Sequence, residues 1–273
     1  MLLDALKKHW PEYLMEAALL GIFMLSACGF GALLEHPNSP VRQLLMDGFV
    51  RRILMGMTMG LTAICLIYSP WGKQSGAHFN PAVTLTFWRL GKISGADTLG
   101  YVLSQFVGGV AGVLCAAVIL QRHLSDPAVN YVATLPGSNG AMVAFMAEAL
   151  IAFIQMTMVL KVSSTSSLAR FTGVFAGLLV ALFISFEAPL SGMSMNPART
   201  FASAFSGNIW TALWIYFTAP PLGMLAAAQI HVWQKRQIAC AKLHHQNNKR
   251  CIHCGAPGAA TVLSNAAFEQ SPN

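Results

Sequence analysis

Two strings in the 273-residue chain could do the same chemistry: SGAHFNPAVT from Ser75 to Thr84 and SGMSMNPART from Ser191 to Thr200. Each carries an Asn-Pro-Ala triplet, Asn80-Pro81-Ala82 and Asn196-Pro197-Ala198. Asparagine caps a helix start through its side-chain oxygen, and proline fits the first turn because it has no N–H to leave unpaired. The amide N–H groups of each asparagine then remain available to a neutral polar partner. Arg199 follows the second triplet, and a fixed guanidinium offers further donors while repelling cations. Its alternative use is a clamp on loop carbonyls. No nucleophile-base pair or metal constellation appears in the apolar runs, so the chain is expected to be no enzyme and to need no cofactor.

The elements that must hold these strings are set by hydropathy. The chain is 55% hydrophobic and 10% charged, where soluble domains carry about 25% charged residues. Apolar runs of about 20 residues lie near Tyr13 to Leu34, Phe49 to Tyr68, Leu99 to Leu120, Ala141 to Leu160, Phe171 to Phe186 and Ile209 to Val232. An all-α membrane protein with six transmembrane helices is therefore expected. Lys7 and Lys8 precede a run of spanning length, which reads as a first span and not as a cleaved leader. The segments from Asn80 to Arg89 and from Asn196 to Phe205 make about 15 Å of helix each, half of the hydrocarbon core of about 30 Å. Such re-entrant half-helices are tolerated only where they are buried in protein or line a watery cavity.

The two halves echo one another: Glu16 matches Glu148, Gly56 and Gly60 match Gly173 and Gly177, and the triplets match. Three spans per half make the repeat inverted, with a site near the midplane. The division expected is an N-terminal segment 1–11, a membrane domain 12–233 with repeats at about 12–121 and 139–233, and a basic tail 234–273 whose end, from Gly255, looks disordered. With both termini inside, twelve basic residues (Lys7, Lys8, Lys73, Arg89, Lys92, Lys161, Arg170, Lys235, Arg236, Lys242, Lys249, Arg250) face the cytoplasm against Arg42, Arg51, Arg52 and Arg122 outside. That excess favours cytoplasmic termini in a plasma or inner membrane. The net charge of +7 lies between apolar runs and not on basic, aromatic-interleaved helices, so a nucleic-acid partner is not expected.

A carboxylate in each half suits the N–H groups freed by the loops before the half-helices, so Glu16 and Glu148 read as scaffold acceptors, with proton relay as the rival role. Glycines at i, i+4 spacing suggest that the second and fifth spans cross closely, and Gly108 and Gly112 repeat the spacing in the third. Gln105 suits a helix-to-helix hydrogen bond.

On the paired triplets, the SGAHFNPAVT string, Arg199, Glu16 and Glu148, the Gln105 to Gly109 run and Pro220-Pro221-Leu222-Gly223, the chain resembles the aquaporin, or major intrinsic protein, family from about Glu12 to Val232. The resemblance implies six tilted helices, two half-helices meeting at their N-termini, a pore through each monomer and a homotetramer. It implies a channel for water or small uncharged solutes, with the positive helix ends repelling cations and hydronium. Carbonyls from Gln74 to His78 and from Gly192 to Met195 would supply an acceptor ladder, and His78 would pack against the loop. A secondary transporter also uses inverted repeats and broken helices, but it needs a midplane carboxylate to couple ions. A non-conducting structural membrane protein is a third class.

At the outer constriction this chain departs from water-selective relatives. They place a histidine twelve residues before the second triplet's asparagine and an aromatic residue on the second span. Here the first position is Ile184 and the second is Met59 or Gly60, according to where a one-residue loop insertion falls; Met193 stands three before Asn196. An apolar ring around Arg199 would suit slightly larger amphipathic solutes such as glycerol, though flexible methionines could also narrow it.

Cys28, Cys65 and Cys115 lie in apolar runs and read as packing residues. In the tail, Cys240, Cys251 and Cys254 with His244 could bind zinc, against the plainer reading of a basic tail with incidental thiols near lipid headgroups.

Overall fold

A computed structural model describes residues 2–236, 238, 240–243 and 249–257. Eight helices organise it: α1 (Leu2–Glu35), α2 (Gly48–Tyr68), the half-helix α3 (Pro81–Arg89), α4 (Gly95–Leu120), α5 (Ala141–Ser163), α6 (Thr172–Phe186), the half-helix α7 (Pro197–Gly207) and α8 (Leu213–Trp233). Short helical turns connect several of them, and no strand occurs among the described residues. Six of the eight are long and apolar enough to cross a membrane. The first starts earlier than its apolar run, at Leu2, because helix continues through the polar opening of the chain and past Pro11. His9 Nδ1 and Tyr13 Oη meet Asp97 Oδ1 at 2.6 and 2.7 Å, tying the start of α1 to the start of α4.

The packing repeats between halves: α1 lies against α4, α5 against α8, and α2 crosses α6 at the centre. Missing side chains permit each approach. A Cβ on Gly108 would stand 2.0 Å from Ala17 O, one on Gly223 2.2 Å from Ala149 O, and one on Gly60 2.5 Å from Gly177 O. Ala17 and Ala149 each follow the carboxylate of their half, so the tightest helix contacts and the buried acids sit at matching levels. In lipid, where apolar surface gains little by leaving the bilayer for another helix, such close backbone packing is what drives association.

Outward faces are apolar and carry Trp10, Trp71, Trp88 and Trp233 towards the face where α1 begins and α8 ends, called here the terminal face, with Trp210 and Trp214 towards the opposite one. Amphipathic rings at both levels suit the two lipid interfaces. Cys65 and Cys115 are exposed on this outer surface and only Cys28 packs in the core, a correction to reading all three as packing residues. Hydropathy cannot separate a lipid-facing position from a buried one when both surroundings are apolar.

Candidate functional site

Each half-helix starts as its triplet requires. Asn80 Oδ1 accepts from Ala82 N at 2.8 Å, and Asn196 Oδ1 accepts from Ala198 N and Arg199 N at 3.1 and 3.2 Å. The loops before them are forced into unusual backbone. Ala77, Phe79, Met193 and Met195 all have positive φ, as do Gly76 and Gly192, and a non-glycine residue held there costs of order 1 kcal/mol or more.

What holds the loops is the pair of buried carboxylates. Glu16 accepts from Ser75 Oγ (2.6 Å), His78 N (3.0 Å), Phe79 N (2.5 Å) and Gln105 Nε2 (2.8 Å). Glu148 accepts from Ser191 Oγ, Ser194 N and Met195 N, each at 2.7 Å. Tyr101 Oη donates to Ser75 O at 2.6 Å and Tyr216 Oη to Ser191 O at 2.5 Å, completing the parallel. Gln105 lies on α4 and its Nε2 bonds back to Glu16 on α1. His78 packs beneath its loop, with Nδ1 3.1 Å from Thr84 Oγ1 and its ring stacked on Phe87.

The halves are tied across the middle. Asn80 Nδ2 donates to Met195 O and Asn196 Nδ2 to Phe79 O, each at 2.8 Å. One of the two N–H bonds of each amide is thus used structurally, which leaves one for a passing partner.

A cavity of about 490 Å³ runs past this junction. Arg51, Arg52, Glu35 and Leu34 line it towards the opposite face, Asn80, Asn196, Arg199, Met59, Ile184 and Met193 line its middle reach, and His78, Gln155 and Leu243 line it towards the terminal face. Arg199 Nη1 has no hydrogen-bond partner, so no clamp on a loop carbonyl occupies that nitrogen. Met59 lines the cavity whereas Gly60 does not: one residue further on, the helix turns about 100° and Gly60 meets Gly177 across the α2–α6 crossing. That removes Gly60 from the expected constriction. Glu16 and Glu148 stand behind the cavity wall, fully buried.

Among the cavity residues that the sequence reading did not place there, two carry polar groups of interest. Gln155, a lone amide in an apolar run, is signalled only by its polarity. Arg51, counted in the sequence only as an outside charge, pairs with Glu35 at 3.0 Å and donates to Leu45 O and Met46 O, so it fixes the loop at the cavity mouth. Beside this mouth, just past α6, burial pushes the Glu187 carboxyl up to about 7, with Ser191 opposing and Glu148 adding to the rise.

The tail returns to the pore. Ala241 O lies 3.0 Å from His78 Nε2, His253 stacks on the His78 ring, and the three tail cysteines bring their sulfurs within 4.8 Å of one another. His244 and residues 258–273 lie outside the described residues.

Six membrane-length helices around two capped half-helices that meet beside one cavity make the architecture of a channel. Residues 6–231 match the major intrinsic protein family, and the chain belongs to it. That family's members are channels for water and small neutral solutes. The chain is 33% identical over 177 residues to a probable NIP-type aquaporin of Nicotiana alata, covering 64% of this chain and spanning 63% of that protein's length. It is 33% identical over 184 residues to glycerol uptake facilitator protein-like 6 of Lactiplantibacillus plantarum, covering 64% of this chain and 82% of that one. The aquaglyceroporin of Plasmodium falciparum has the same fold, with a TM-score of 0.67 at 17% identity over 82% of this chain and 96% of the other.

Proposed function

We propose a passive channel that conducts glycerol-sized neutral solutes as well as water and excludes ions and protons. The observation that carries this reading is the apolar part of the lining: Met59, Ile184 and Met193 share one cavity with Arg199. A solute with hydroxyls on one side and carbon on the other can give its polar edge to Arg199 and the asparagine amides and its apolar edge to these side chains. Those three side chains offer no strong hydrogen bond to a water molecule that must give up its bulk partners.

Cation exclusion is supported by the two half-helix N-termini converging on Asn80 and Asn196, with the Arg199 charge beyond them. Ion-coupled transport finds no support in the cavity: Glu16 and Glu148 are engaged by loop donors behind its wall, and Glu35 is paired with Arg51. The excess of basic residues on the terminal face supports cytoplasmic termini in a cell membrane. The family resemblance supports a homotetramer in which each chain keeps its own pore.

Proteoliposomes carrying the chain, followed by stopped-flow light scattering under water, glycerol and urea gradients, test the reading. Water and glycerol permeability both well above that of empty liposomes are expected. Ile184→His should lower glycerol flux several-fold while sparing water. Water flux alone would overturn the solute assignment, and no flux of any solute would overturn the channel assignment.

A further inference from the structure

Three cysteines in the tail meet at one point although ten residues separate the first two. Cys240 and Cys251 have their sulfurs 3.7 Å apart, and the Cys254 sulfur completes a group within 4.8 Å. A tetrahedral zinc ion with bonds of about 2.3 Å sets its thiolates about 3.8 Å apart, so the observed spacing already fits an ion at the centre. The second and third cysteines stand on a tight turn of the kind that presents a Cys-x2-Cys pair: Gly255 N donates to Cys251 O at 3.0 Å, Cys251 N to Ala256 O at 2.9 Å, and Gly255 takes a φ of 73°.

Charge gives an independent pointer. Lys242 is 3% exposed and its Nζ has no hydrogen-bond partner. A buried ammonium is costly without anions nearby, and Glu12, whose charge also reaches it, is engaged by Gln74 Nε2. A divalent ion on three thiolates carries a net charge of −1, and the ammonium would balance it.

The same segment touches the pore. Leu243 forms part of the cavity wall, the Lys242 backbone lies against Gly76, Ala241 O meets His78 Nε2, and His253 Nε2 lies 3.4 Å from Ser75 O and 3.3 Å from Tyr101 Oη. Ser75, Gly76 and His78 belong to the loop that enters the first half-helix. We propose that Cys240, Cys251 and Cys254 bind a thiophilic divalent cation of the zinc class, water taking the fourth position, and that the bound ion clips residues 240–243 and 251–254 over the terminal-face mouth and closes it. The closure rests on the channel reading above, whereas the site does not.

The test uses the full-length protein under a non-thiol reductant. Zinc competition against a chromophoric chelator should give one tightly held equivalent per chain, absent from a C240S/C251S/C254S variant. In proteoliposomes, chelating the zinc from the wild type should raise glycerol permeability at least threefold, to the level of the triple variant, and restoring zinc should lower it only in the wild type. Equal zinc content in the two proteins would overturn the site, as would a Cys240–Cys251 disulfide found by mass spectrometry in place of bound zinc. One equivalent of zinc with unchanged permeability would overturn the closure alone. A triple variant as impermeable as empty liposomes would overturn the channel reading and the closure together, while the zinc count would still decide the site.

Discussion

The side-chain amide of Asn80 donates to the carbonyl oxygen of Met195 at 2.8 Å, across the junction between the two halves of the chain. Its counterpart runs from Asn196 to Phe79. Both residues also cap their own half-helix, so each asparagine performs two structural tasks before it meets a solute.

Replacing Asn80 should therefore act on folding and on flux together. Asn80→Ala removes the cap and the bond to Met195, and should lower stability by about 1–3 kcal/mol with a loss of most neutral-solute flux. Asn80→Asp retains an acceptor for the cap but places a carboxylate at the convergence of the helix ends, and should raise proton or cation leak. Thermal unfolding in detergent and dye-reported ion flux in liposomes check the two outcomes.

Glu16 offers the clearest stability test. Glu16→Ala leaves two loop N–H groups, the Ser75 hydroxyl and the Gln105 amide without their acceptor, at a cost of about 3–5 kcal/mol. Glu16→Gln retains one acceptor oxygen and should lose roughly half as much. A larger loss for Gln than for Ala, measured as the shift in thermal midpoint, would contradict the scaffold role.

At the helix contacts, Gly108→Ala should fail where most alanine substitutions in helices help. The added carbon would stand 2.0 Å from Ala17 O and 2.4 Å from its Cα, so α4 must move off α1. A loss of about 1–3 kcal/mol, typical of overpacking, and a reduced yield of folded protein are expected. The control is Gly91→Ala, where nothing lies within 4 Å but φ is +67°; it should cost about 1 kcal/mol through backbone strain alone.

Glu187 predicts a pH dependence. Its carboxyl is raised from the usual 4.5 to about 7, so the contribution of its protonated form is complete below pH 4.5 and is lost as pH rises through 7. Glu187→Gln should be close to neutral at pH 4.5 and stabilising at pH 8, by at most about 3 kcal/mol. Thermal midpoints of variant and parent at the two pH values give the comparison.

Much of this was readable from local signals. The six spans follow from run length, and the half-helices from Asn-Pro caps placed before segments too short to cross, because both properties are written within a dozen or so neighbouring residues. The Glu16 and Glu148 roles followed from the echo between halves. Met59 and Gly60 could not be separated, since a single loop insertion turns the helix by a full side-chain direction. Arg51 was counted only as an outside charge because its partner Glu35 stands across a loop. The docking of the tail was illegible for a related reason: its contacts with Ser75 and His78 span well over a hundred residues, and no periodicity encodes them.

The matched loops have one more consequence. A molecule approaching the junction from either side meets an asparagine amide and the start of a half-helix in the same order, a match that Arg199 breaks because Val83 stands at its place in the first half. Any difference between inward and outward passage therefore originates at Arg199 and at the two mouths, which are built from unlike parts: an Arg51–Glu35 pair on one side and the folded tail on the other.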